Sequence, residues 1–119
     1  MMWKLLQYQT VFDDFYNQCD TKLKAAIDQR VQRLAILGNM AREPVSKPVE
    51  DGIFECKARA KRQRVRFLYF FQPGKIIIFA VATFKDQRKI PRSAINKAKK
   101  IRDTLLRAPE LIDEFTEIH

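Results

Sequence analysis

The chain has 119 residues and a mass of 14.1 kDa, the size of one ordinary domain that can bury a single core. Lys and Arg number 23 against 14 Asp and Glu, a net charge of +9 with a pI near 9.8, so a polyanion is the natural partner. His119 is the single histidine, and Cys19 and Cys56 stand 37 positions apart; this excludes His-based nucleophile systems and paired-cysteine metal or redox sites, and no metal or cofactor is expected.

The opening "MMWKLLQYQTVF" lacks the apolar core and small-residue cleavage site of a secretory signal, and no run approaches the length of a spanning helix. A cytoplasmic protein without membrane attachment is expected, with both cysteines reduced and buried as small hydrophobes. "WKLLQY" reads as a short first strand. "TVFDDFYNQC" then sets Phe12, Phe15, Tyr16 and Cys19 at helical spacing, with Thr10 and Asp13 as a capping-box-like start. From Asp20, a good N-cap, Leu23, Ile27, Val31, Leu34 and Leu37 form one stripe that ends at Gly38-Asn39, where a left-handed C-cap is expected.

The following "MAREPVSKPVED" holds Pro44 and Pro48 and reads as irregular. "IFECKA" and "RVRFLYFF" flank a polar turn and read as a hairpin, and "QPG" turns the chain into "KIIIFAVATF", apolar on both faces as suits an inner strand. Pro91 opens a last helix with Ala94, Ala98, Ile101 and Leu105 on one side. No repeat or linker divides the chain. The expected order is β-α-α-β-β-β-α, an α+β fold with a small, mainly antiparallel sheet and helices packed on one face. Residues 1–106 form the domain at +12, and 107–119, with one Arg against Glu110, Asp113, Glu114 and Glu117, form an acidic tail.

Charge is concentrated rather than mixed, since six of the ten residues from Lys57 to Arg66 are cationic. Side chains two apart on a strand share a face. Glu55, Lys57 and Arg59 therefore lie together, and folding the hairpin about residues 60–63, which include Lys61 and Arg62, brings Arg64 and Arg66 onto the same surface. Val65, Phe67, Tyr69 and Phe71 point the other way, onto the early helices. Lys85, Arg88 and Lys89 add a rim to this cationic floor.

Such a floor binds a phosphate backbone, with Arg supplying bidentate geometry. RNA cleavage asks in addition for a base to take the 2′-OH proton, cations to stabilise the phosphorane oxygens and an acid for the leaving 5′-oxygen. RNA supplies its own nucleophile, so no metal is required. The base is Glu55 or a lysine whose pKa is depressed by neighbouring cations, for which Lys57 and Lys85 are best placed. Glu55 equally suits a structural ion pair with Arg66.

"DGIFECKAR", "RVRFLYFF" and "GKIIIFAVATFKDQRKIP" leading into "AINKAKKIRD" together resemble the HigB-like, phage-derived branch of the RelE/ParE toxin superfamily, over residues 51 to about 103. The resemblance implies a RelE-like domain over 1–106 and the toxin of a type II toxin–antitoxin pair, a ribosome-dependent, metal-independent mRNA endonuclease. It also implies a cognate antitoxin, a helix-turn-helix protein encoded adjacently, and an oligomeric complex of the two on operator DNA. Position by position, Glu55 falls on the family's strand Glu, Arg66 on the Arg of the aromatic strand, Lys85 on the first Lys of the post-strand motif and Pro91 on its Pro. The chain departs from the pattern at Asp86, where the family has a second Lys, and at Lys57, where it has Arg.

The catalytic candidates are thus Glu55, Lys57, Arg66 and Lys85, and the RNA-binding candidates Arg59, Lys61, Arg62, Arg64, Arg88 and Lys89. Two other functions keep the same floor: a non-catalytic nucleic-acid-binding or regulatory module, and a ParE-like toxin acting on gyrase. Fold does not separate them.

Overall fold

In the computed structural model, which describes residues 2–85 and 89–118, the chain runs β1 (Lys4–Gln7), α1 (Val11–Asn17), α2 (Thr21–Leu37), β2 (Lys47–Glu50), β3 (Ile53–Ala60), β4 (Gln63–Gln72), β5 (Ile76–Phe84), α3 (Arg92–Arg107) and β6 (Thr116–Glu117). Short 3-10 turns, Gly38–Met40 and Pro109–Glu114, follow α2 and α3. The strands form one sheet in the order β2-β3-β4-β5-β1-β6. Among the described residues only the β1–β5 pair is parallel, so the expected α+β, mainly antiparallel architecture is the observed one.

Helix α2 forms for the reasons its stripe suggests. The Asp20 carboxylate accepts the Leu23 N–H at 2.8 Å, and Leu23, Ile27, Val31 and Leu34 are buried against the sheet. The helix ends at Gly38 with φ +55, where a Cβ would lie 2.0 Å from the Trp3 indole, so both conformation and space demand glycine. Helix α1 is capped differently from the expectation: Thr10 makes no cap bond to backbone. Its hydroxyl donates to Asp14 at 2.6 Å, while the buried Gln7 carbonyl oxygen accepts the N–H groups of Phe12 and Asp13, both at 3.0 Å. A β1 side chain thus fills the cap.

Three features differ from the sequence reading. Residues 47–50 are a strand, not irregular chain. Asp51 and Gly52, with φ 49 and 78, make the two-residue turn of a β2–β3 hairpin, and Pro48 is tolerated because β2 is the sheet's outer strand. Helix α3 covers the face opposite α1 and α2: its Ile95, Ala98, Ile101 and Leu105 bury Leu6, Leu68, Phe70, Ile78 and Ala80, whereas α1 and α2 bury Phe67, Tyr69, Ile77 and Phe79. Strands β4 and β5 are apolar on both sides there and need cover on both. Last, the acidic end carries a 3-10 turn and a strand that the expected element order lacks. Leu111, Ile112 and Phe115 pack under α3, and β6 pairs with β1.

The β2–β3 hairpin is clamped to α3 by charge. Glu50 accepts from Arg92 at 2.8 Å and also from Lys99, and Arg102 bonds the Asp51 carboxylate at 3.0 Å and the Asp51 carbonyl. The hydrogen bonds from Arg92 and Lys99 pull the Glu50 carboxyl from its ordinary 4.5 to about 2. A depressed carboxyl contributes stability that is fully present above its unfolded pKa and is lost as pH falls through the folded one. The melting temperature of the native chain is therefore expected to exceed that of Glu50→Gln above pH 4.5 and to converge on it toward pH 2; a gap constant across that window contradicts the clamp.

Candidate RNA-binding and catalytic face

Among the described residues helix α3 packs over Leu68, Phe70, Ile78 and Ala80, and the Lys57, Arg59 and Arg64 end of the sheet lies outside that cluster. Lys57 stands opposite Arg66, and Arg59 opposite Arg64, in the β3–β4 ladder. Like charges facing one another are destabilising, and Glu55 answers part of this. Its carboxylate, 5 % exposed, accepts from Nε of Arg66, itself 2 % exposed, and lies 3.8 Å from the Lys57 ammonium. Both Glu55 oxygens are thereby engaged, one to each cation. The ion pair considered from sequence is the arrangement observed.

Lys85 follows the last residue of β5. Phe84 before it packs its ring 4.7 Å from Phe15 on the helix side, and the Lys85 N–H donates to the Arg64 carbonyl at 2.8 Å. The backbone is thus fixed while the side chain lies over the floor. Partial burial, helped by the Lys57, Arg66 and Arg64 cations and opposed by Glu55, pushes the Lys85 ammonium pKa below 10.5. Cys56, by contrast, is pushed up to about 12 by burial, consistent with an inert core thiol.

Two grooves share Lys47, Glu55, Lys57 and Lys85 in their walls. One, of about 410 Å³, opens across the outer edge of β3 between Arg59 and Arg64 on the floor and Arg30 of α2. The other, of about 360 Å³, runs past Arg66 and Lys89 to the start of α3. The structure therefore assembles Glu55, Lys57, Arg59, Arg64, Arg66, Lys85 and Lys89 around one face. It does not bring Lys61 and Arg62 there: they form the tip of the β3–β4 hairpin beside Asp20 and Lys22. Arg88 and Asp86 lie outside the described residues.

Two cations escaped the sequence reading. Lys47 is hidden by reading its segment as irregular, although the Asp51-Gly52 dipeptide is a hairpin signal and Lys47 stands opposite Glu55 in the β2–β3 ladder. Arg30 belongs to the polar side of α2 and carries no local signature. A buried Arg–Glu pair bordered by Lys47, Lys57 and Lys85 can hold a phosphodiester and place positive charge where a phosphorane would build it.

Comparison with curated proteins finds no match. The family described as Phage derived protein Gp49-like (DUF891) matches residues 14–103, a span that runs from α1 to α3 and contains every described residue of the two grooves. By that match over most of its length, the chain belongs to the Gp49-like family of phage-derived proteins.

Proposed function

We propose that this protein is the HigB-like toxin of a type II toxin–antitoxin pair, acting in the cytoplasm as a ribosome-dependent mRNA endonuclease. The observation that carries the reading is the convergence of Lys57, Arg66 and Lys85 around buried Glu55 on an open cationic face. Family membership supports it, because Gp49-like proteins are associated with RelE/HigB-type toxins.

In this reading the RNA 2′-oxygen attacks the adjacent phosphorus while a base takes its proton, and the bond from phosphorus to the 5′-oxygen breaks as that oxygen gains a proton. No metal is invoked, since the attacking group belongs to the substrate. Lys57 stabilises the phosphorane oxygens, and Arg66, buried against Glu55, adds positive charge beneath them. Lys85, whose pKa its partial burial and the neighbouring cations lower from 10.5, moves a proton or adds a third cation. Arg59, Arg64 and Lys89 carry the flanking phosphates. A helix-turn-helix antitoxin encoded beside the gene silences the toxin, and the two assemble as an oligomer on operator DNA.

Induction of the chain alone is expected to arrest growth and to cut a reporter mRNA within its translated region, with the cuts disappearing when the start codon is removed. Intact transcripts accompanied by DNA damage would replace this reading with action on gyrase. Intact transcripts with retained RNA binding would leave a non-catalytic module.

A further inference from the structure

Strand β3 is longer than the strand that covers it. Its two-residue turn, Lys61-Arg62, makes Ala60 and Gln63 the closing pair with β4, and in an antiparallel ladder hydrogen-bonded and non-bonded pairs alternate. Cys56 and Ala58 therefore bond to β4, and Glu55, Lys57 and Arg59 turn their N–H and C=O groups to the outer side. Glu55 meets Lys47 there. Beyond that point the chain curls away, with the Val45 and Ser46 N–H groups both donating to the Arg42 carbonyl. Among the described residues no backbone pairs with Lys57 or Arg59 on the outer side.

This unpaired stretch borders the 410 Å³ groove, where six Lys and Arg side chains, Lys57 and Arg59 among them, outnumber Glu43 and Glu55. We infer that the outer edge of β3 at Lys57–Arg59 takes up an extended acidic segment of a partner protein as an added strand, in line with β2. Strand addition satisfies the two N–H and two C=O groups together, whereas phosphate groups accept only and can meet just the two N–H groups. A second copy of this chain is disfavoured, because edge-to-edge pairing would oppose Lys57 and Arg59 with their own like charges. The face alternation sets the partner's pattern. Residues opposite Lys57 and Arg59 turn toward the floor and are acidic, and the residue opposite Ala58 turns toward Val65 and is small or apolar.

An occupant on this edge covers Lys57 and the mouth of the Lys85 groove, and so inhibits by occupying the catalytic face. The inference rests on the antitoxin reading only for the partner's identity. Its test uses a labelled full chain and the blocked peptide Glu-Val-Glu-Val-Glu, followed by amide exchange in NMR. At a tenfold excess over its dissociation constant, the peptide is expected to slow exchange of the Lys57 and Arg59 amides about tenfold. N-methylation of the glutamates, whose N–H groups would face β3, should abolish the protection, and N-methylation of the valines should preserve it. Equal protection by the Glu-methylated peptide would reduce the contact to charge adhesion and overturn the inference. So would protection of the same two amides by a short single-stranded RNA, or protection without peptide that grows with protein concentration. Cleavage of translated mRNA by a chain whose edge ignores the peptide would sink this inference and leave the proposed function standing; protection with intact transcripts would do the reverse.

Discussion

Lys85→Ala is expected to lower transcript cleavage by ~10²-fold or more, the scale on which one electrostatic stabiliser acts, while stability stays within about 0.5 kcal/mol. The two effects separate because the backbone bond from Lys85 N–H to the Arg64 carbonyl and the Phe84–Phe15 contact survive truncation beyond Cβ. Lys85→Arg divides the roles, since a guanidinium keeps the charge and does not give up its proton. Activity retained by arginine makes the residue a cationic clamp; activity lost in both makes it a proton carrier. The pH profile gives an independent reading. With its pKa below 10.5, a neutral Lys85 acting as base makes cleavage rise with pH through that pKa, and a cationic clamp makes it fall. Wild-type cleavage by both variants would remove Lys85 from the site.

Breaking the Glu55–Arg66 pair should have the largest effect on stability. Both side chains are nearly inaccessible, at 5 % and 2 % exposure, and taking one partner from a buried pair costs about 3 to 5 kcal/mol. For a domain of this size Glu55→Ala or Arg66→Ala should therefore lower the melting temperature by roughly 10 to 20 °C. Glu55→Leu combined with Arg66→Met should recover much of that loss, because the desolvation of two charges disappears along with their attraction. Adding the Glu55→Leu and Arg66→Met single variants closes a thermodynamic cycle with the double variant and measures the coupling. Single variants that melt with the wild type would show the pair to be solvated and free for proton transfer. Cleavage by Glu55 variants is interpretable only where the protein is folded, so this measurement precedes any assignment of Glu55 as base.

Where a segment's own chemistry decides its structure, the sequence reading succeeds. The α2 stripe, Asp20 and Gly38 are all local signals, and the two-residue alternation of β3 and β4 puts Lys57, Arg59, Arg64 and Arg66 on one surface without help from any other element. It fails where distant residues decide. Gln7 caps α1 from β1, which no spacing reveals, and the prolines around Lys47 mask a strand that exists because β3 has an edge to pair. Ala94, Ala98, Ile101 and Leu105 mark α3 as amphipathic, yet period alone does not say which sheet face it meets; the apolar run of β5 on both faces held that answer. Leu111, Ile112, Phe115 and Ile118 are too few and too closely mixed with acids to display a period, so the end of the chain reads by its charge. Lys61 and Arg62 share the strand's charge but sit on the turn, where alternation no longer applies.

The parallel seam between β1 and β5 imposes an order on biosynthesis. Leu5 and Leu6 leave the ribosome about 70 residues before Ile77 and Ile78, the residues they pair with. Through most of synthesis the nascent chain therefore carries an apolar first strand without its neighbour, and closing the seam means closing a long loop. The β3–β4–β5 meander needs only short turns, so the cationic hairpin matures from local contacts while the β1–β5 seam waits for contacts of long sequence separation, the kind that slow folding.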